Sequence, residues 1–194
     1  MITVREDGIM IVGLTGRCCS GKTTVFNKLR EDCQDFGYVG EPVRDILKDI
    51  KVSLRALRCH PEKYLQFQLR VLKRYVEDVC NVYQNYDVVI TDRTIYDIYI
   101  YSKLYLPYRY FKLFCVEVSL YDEFIPDKLI YFEPLPYVDD GIRHKGNLAQ
   151  ELALFEKYVK PKADVVVNVI DEGYQKIRQK ILSVINNGIN NWRC

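Results

Sequence analysis

The sequence has no CxxC pair and no histidine at zinc-ligand spacing, and its seven cysteines, at positions 18, 19, 33, 59, 80, 115 and 194, are odd in number. That excludes a structural zinc framework and a fully paired disulfide scaffold, and reads as reduced, intracellular thiols. No run approaches the roughly 18 apolar residues of a membrane span, and Met1 to Gly8 carries two acidic residues without an apolar core of signal-peptide length. The expected location is cytoplasmic, with no membrane partner. Charge of one sign is scarce as well: 28 Lys and Arg against 26 Asp and Glu leave a net charge of +2, and the pI is near 8.1, so no nucleic-acid partner is expected. Internal repeats, low-complexity tracts and linkers are absent too.

What is present suits one globular domain spanning residues 1–194, 48% hydrophobic and 28% charged. A chain of this length buries about 70% of the surface its unfolded form exposes, enough to need no staple. Sixteen tyrosines are unusual. Those at 96, 99, 101, 105, 108 and 110 either coat a helix or stack on a base. The stretch from Ile185 onward, rich in Asn and Gly, reads as a flexible tail over 186–194, with Trp192 packing on the body or on a partner. The sequence leaves a homodimer open.

Short apolar runs alternate with helical periodicity. Ile9 to Leu14, Tyr38-Val39, Val88 to Thr91, Leu129 to Phe132 and Val165 to Ile170 read as strands. Between them, a helix is predicted from Lys22 to about Asp35, another segment starts at Pro42, and a long amphipathic helix runs from Pro61 to Tyr86. Strands alternating with long helices predict an α/β fold, a parallel sheet wrapped by helices on both faces. Ligands of such sheets bind at the carboxyl ends of the strands, which puts Gly16 to Thr24, Glu41, Asp92-Arg93 and the loop after Phe132 on one rim.

Gly16-Arg17-Cys18-Cys19-Ser20-Gly21-Lys22-Thr23 matches GxxxxGK[ST] between a predicted strand and a predicted helix. The glycines let backbone N–H groups turn inward around phosphate oxygens, and the following helix, entered through Thr24, points its positive end at the same charges. Lys22 is expected to reach the β and γ phosphates. The Thr23 hydroxyl is expected to ligate the Mg2+ that accompanies ATP. Cys18 and Cys19 read as tolerated small residues of the loop rather than as thiol catalysts.

Four further groups on the rim bear on the reaction. Asp92 suits a second acidic element holding the metal through water, or an N-cap for the helix near Thr94, and Arg93 beside it suits a phosphate. Glu41 at a strand tip can take the proton of an attacking hydroxyl or bind a sugar hydroxyl, and Arg44 one turn on has the reach to clamp a phosphate or carboxylate. Gln68 and Arg70 on the long helix are two residues apart, so only one of them faces the cleft. The segment 133–146, with Arg143 and Lys145, reads as a mobile lid or a plain surface loop; as a lid, Arg143 would neutralise charge in phosphoryl transfer.

These residues resemble the P-loop kinases of nucleosides and nucleotides, from Ile9 to Ile170. Glu41-Pro-Val-Arg-Asp-Ile-Leu is similar to the Glu-Pro strand end of deoxynucleoside kinases and to the matching segment of the nicotinamide riboside kinase domain and its ATPase-like relatives. Phe67-Gln68 and Asp92-Arg93 resemble elements of deoxynucleoside and thymidylate kinases, and Ile130-Tyr-Phe-Glu-Pro-Leu-Pro with Asp140-Gly-Ile-Arg143 looks most like the lid of the nicotinamide riboside kinase-like group. The resemblance implies a three-layer P-loop NTPase fold with a five-stranded parallel sheet of order 2-3-1-4-5. It also implies transfer of the γ phosphoryl group to a nucleoside or nucleoside monophosphate. The alternative is a nucleotide-dependent regulatory ATPase without a small acceptor.

Overall fold

The computed structural model describes residues 9–137 and 147–192. Five strands, β1 (Met10–Thr15), β2 (Gly37–Val39), β3 (Val88–Asp92), β4 (Lys128–Phe132) and β5 (Val165–Val167), form one sheet of order β2-β3-β1-β4-β5. Every neighbouring pair is parallel, with Leu14 opposite Asp92, Thr15 opposite Tyr131 and Phe132 opposite Val167. The sheet order expected from the resemblance is therefore the observed one. All carboxyl ends meet on one rim because each crossover returns the chain to the same starting edge.

Side-chain alternation sends the two faces of the sheet into separate cores. Met10, Val12, Leu14, Ile90 and Phe132 pack against α1 (Lys22–Asp32) and α8 (Val169–Trp192), while Ile11 and Val89 face α4 (Pro61–Tyr83) and α6 (Tyr108–Val118). A third cluster joins Leu129 and Tyr131 to α5 (Ile95–Tyr105) and α7 (Leu148–Tyr158) through Ile100 and Phe155. Two short helices, α2 (Val43–Ile50) and α3 (Leu54–Arg58), cover the mouth of the α4 face. This is a three-layer arrangement in which nearly every strand residue is buried, as expected of a parallel sheet.

Several elements end differently from their sequence expectation: α1 stops at Asp32 rather than about Asp35, and α4 at Tyr83 rather than Tyr86. β5 stops at Val167 rather than Ile170, because Asn168 turns the chain: its Oδ1 accepts from the N–H groups of Ile170 (3.0 Å) and Asp171 (3.4 Å) and so starts α8. The tail expected to be flexible from 186 is helical to Trp192. Ile177, Ile181 and Ile185 bury one stripe at helical spacing, partly buried Ile189 continues it, and Gly188 lets the helix approach Met10 so closely that a Cβ there would lie 2.4 Å from the Met10 methyl. α8 is interrupted only at Gly173, whose φ of 69° separates its first turn from the rest. Among the described residues no helix is long and apolar enough to cross a membrane.

Candidate nucleotide and acceptor site

Left-handed or near-left-handed backbone at Gly16 (φ 135°), Cys19 (φ 54°) and Gly21 (φ 80°) curls the loop between β1 and α1. Gly16 has no room for a side chain: an added Cβ would lie 2.4 Å from the Phe132 carbonyl oxygen. Gly16→Ala is therefore expected to distort the loop, at about 1–3 kcal/mol of backbone strain before the clash is counted. A nucleotide titration would show at least tenfold weaker binding, by the usual conversion of about 1.4 kcal/mol per decade.

Lys22 opens α1 and is only 4% exposed. Its Nζ donates at 2.8 Å to the Gly16 and Arg17 carbonyls and to Ser20 Oγ. Thr23 and Thr24, in the first turn, are exposed. Thr23 Oγ1 donates to Asp92 Oδ2 at 2.7 Å, and the other oxygen of Asp92 is buried with no partner among the described residues. Burial raises the Asp92 pKa above the ordinary carboxylate value, opposed by the Thr23 hydrogen bond and by Arg93 and Lys22. A carboxylate short of one partner beside the Thr23 hydroxyl fits a hydrated Mg2+. The alternative role for Asp92, an N-cap, is filled by Thr94, which forms a capping box with Asp97.

The loop's outer limb is tied to the chain just after β4, at the start of the segment expected as a lid or a surface loop. Leu135 donates its N–H to the Cys19 carbonyl (2.9 Å), and Arg17 Nη2 donates to the Leu135 carbonyl (2.9 Å). Arg143 and Lys145, with residues 138–146 of the expected lid, lie outside the described residues.

Arg93 is the hub of the rim. Its guanidinium lies 3.3 Å from Glu41 Oε1 and 2.9 Å from Asp97 Oδ1, donates to the Gly16 carbonyl at 3.0 Å and touches Tyr101 Oη at 3.4 Å. Its φ is 88°, an unusual value for a residue with a side chain. Burial opposes its charge, but Tyr101, Glu41, Asp97 and Asp92 together hold its pKa well above the usual arginine value. Arg93 thus binds the rim carboxylates instead of projecting freely toward a phosphate.

Beside it opens a pocket walled by Glu41, Arg58, Tyr64, Phe67, Gln68 and Tyr105, with Cys18 and Glu151 at the loop side. Tyr64 and Phe67 stack at 25°, and Gln68 Nε2 donates to the Tyr64 hydroxyl, whose pKa burial pushes up to about 12. Gln68 is 4% exposed and faces the pocket. Arg70, some 200° round the helix, points away and pairs with Asp49 at 3.4 Å on an exposed surface. Of the two, Gln68 lines this pocket, and Arg70 lines a separate groove that also touches Glu41 and Pro42. Arg44 is exposed on α2, whose Pro42 and Val43 supply the wall instead, so it too stands off this pocket. Tyr96, Tyr99, Tyr101, Tyr105 and Tyr110 all pack against the core clusters, and of these Tyr101 and Tyr105 also line the pocket; Tyr108 is exposed.

Sequence reasoning missed Asp97, Arg58, Tyr64 and Glu151. Thr94-Ile-Tyr-Asp97 is itself a capping-box signature, so Asp97 had a signal. Glu151 had none, lying 133 residues from the loop it touches.

The model of an AAA domain family matches residues 11–170. The chain belongs to the AAA domain family. Its sheet order and phosphate loop are those of the P-loop NTPase fold, to which this AAA domain conforms. A solved structure described as the crystal structure of NadR protein in complex with NR superposes with a TM-score of 0.57 at 22% identity, over 85% of this chain and 46% of that one. The chain thus spans less than half of that neighbour's length, and the likeness is one of fold. No curated protein matches the sequence.

Proposed function

We propose that this AAA domain transfers the γ phosphoryl group of ATP to a hydroxyl of a nucleoside-like acceptor held in the pocket beside Arg93. The observation that carries this reading is the second pocket: aromatic walls and a hydrogen-bonding amide beside a carboxylate, Glu41, at the rim that also carries the phosphate loop. A nucleotide switch without an acceptor needs no such pocket.

The pocket's charge favours a nucleoside over a nucleoside monophosphate. Glu41, Asp97 and Glu151 face it against Arg58 and Arg93, and Arg93 is already engaged by two of the three carboxylates. An incoming monophosphate would meet net negative charge, whereas a neutral or cationic nucleoside would not. The NR complex of the NadR neighbour accords with an acceptor of nucleoside size.

In this reading the acceptor hydroxyl oxygen forms the new bond to the γ phosphorus, the bond from that phosphorus to the β–γ bridging oxygen breaks, and the hydroxyl proton passes to the Glu41 carboxylate. Arg93 fixes the position of Glu41 through the 3.3 Å contact. Lys22 leaves its loop carbonyls for the phosphates, and Gln68 with the Tyr64–Phe67 stack orients the base. Thr23 and Asp92 would hold Mg2+, which when bound offsets charge on the β and γ phosphates. Catalysis is then chiefly positioning and electrostatics.

The test is ADP formation from Mg-ATP with single nucleosides, nicotinamide riboside and nucleoside monophosphates offered one at a time. A nucleoside-type acceptor is expected to raise ADP formation at least tenfold over the acceptor-free rate, within the range that positioning alone supplies. A monophosphate as the sole stimulating acceptor would overturn the acceptor class. ATP binding without stimulation by any acceptor would overturn the kinase reading in favour of a regulatory ATPase.

A further inference from the structure

Cys18 is the third residue of the phosphate loop, and its backbone N–H donates to Oε1 of Glu151 at 3.0 Å. The same oxygen accepts from the Tyr101 hydroxyl at 2.6 Å, and Cys18 Sγ lies 3.9 Å from the other carboxylate oxygen. Glu151 sits in the first turn of α7 and is 5% exposed. One turn later on the same helix, Phe155 meets the Tyr101 ring edge-on, so α7 grips Tyr101 at two points.

Two features set this contact apart from ordinary packing. A phosphate loop directs its amides at anionic acceptor oxygens, and a carboxylate oxygen is such an acceptor, charged and without a proton to give. Glu151 also adds a third carboxylate to a pocket that holds Glu41 and Asp97, a placement that like-charge repulsion and burial both oppose. Cys18 itself lines the pocket, the side on which a terminal phosphate would stand to meet an acceptor held there. The amides of Lys22 and the residues after it belong to the start of α1 at the loop's other end.

We propose that Glu151 is a placeholder for a γ-phosphoryl oxygen, so that a nucleoside triphosphate enters by displacing the carboxylate from Cys18 whereas a diphosphate does not reach it. Glu151 is then a positioning and specificity residue, setting the preference for triphosphate over diphosphate through the loop conformation it holds. The inference rests on the reading of the loop as a nucleotide site.

Titration of Mg-ATP and Mg-ADP into the wild type, Glu151→Ala and Tyr101→Phe tests it. Removing the carboxylate is expected to tighten ATP by about tenfold, the equivalent of one charge-assisted hydrogen bond that no longer competes, and to leave ADP nearly unchanged. Tyr101→Phe removes one of the two bonds that hold the carboxylate and is expected to shift ATP in the same direction by less. Should Glu151→Ala fail to fold by its melting curve, Tyr101→Phe decides alone. An unchanged ratio of ATP to ADP affinity in folded variants overturns the placeholder and leaves the loop assignment intact. Failure of the wild type and both variants to bind either nucleotide overturns the loop assignment, and the placeholder with it.

Discussion

Lys22→Ala is expected to lower acceptor-stimulated ADP formation by about 10³-fold, the scale on which a single preorganised charge acts at a transferring phosphoryl group. The ammonium is nearly enclosed, and three oxygens of its own loop hold it at 2.8 Å. Those partners are the Gly16 and Arg17 carbonyls and the Ser20 hydroxyl, so the lysine also offsets the carbonyl dipoles of the curled loop. Alanine therefore removes a phosphate ligand and loosens the loop that would bind the phosphates, and both effects lower the rate.

Two comparisons separate these effects. Melting curves should show a folded protein, because Lys22 lies outside all three apolar clusters. Lys22→Arg should recover little activity: the forked guanidinium cannot adopt the point-charge geometry that three oxygens within 2.8 Å impose on Nζ. Retention of more than about a tenth of the wild-type rate by Lys22→Ala would remove this lysine from the phosphoryl path, since even one oxyanion donor is ordinarily worth about 10²-fold or more.

Local signals carried most of the fold. The phosphate loop, four of the five strand ends to within one residue, and the long helix follow from apolar periodicity and glycine placement. Sheet order does not follow from either, and came from the resemblance. In the tail, composition and periodicity point different ways: the asparagines suggest a loose end, whereas the four-residue spacing of Ile177, Ile181, Ile185 and Ile189 continues the helix across Gly188. At the site, residues on the loop and strand tips were legible, since the chain places them by local geometry. Glu151 and Arg58 were not, because α7 and the five-residue α3 reach the pocket only through tertiary packing. Gln68 and Arg70 were separable in principle from their spacing, but only the direction of the cleft decides which one it selects.

Replacing Arg93 is expected to have the largest effect on stability. Arg93→Met removes the cation from the buried Asp97 carboxylate and the partly buried Glu41 carboxylate, a change that costs about 3–5 kcal/mol. For a domain of this length that corresponds to a fall in Tm of about 10 °C, at about 2–4 °C per kcal/mol. Neutralising one partner should recover part of the loss: Glu41→Gln combined with Arg93→Met is expected to melt above Arg93→Met alone, with a coupling of about 1–3 kcal/mol as found for residues in direct contact. A fall of no more than a degree or two in Arg93→Met would show that the carboxylates are not held by this charge. The backbone separates a second contribution. Arg93 adopts a φ of 88°, which glycine accepts without strain and alanine does not. Arg93→Gly should therefore melt above Arg93→Ala although both lose the guanidinium, the reverse of the order expected where a residue adopts ordinary extended or helical backbone. Such an inversion would show that the rim spends backbone strain at the end of β3 to aim one guanidinium at Glu41, Asp97 and the Gly16 carbonyl together.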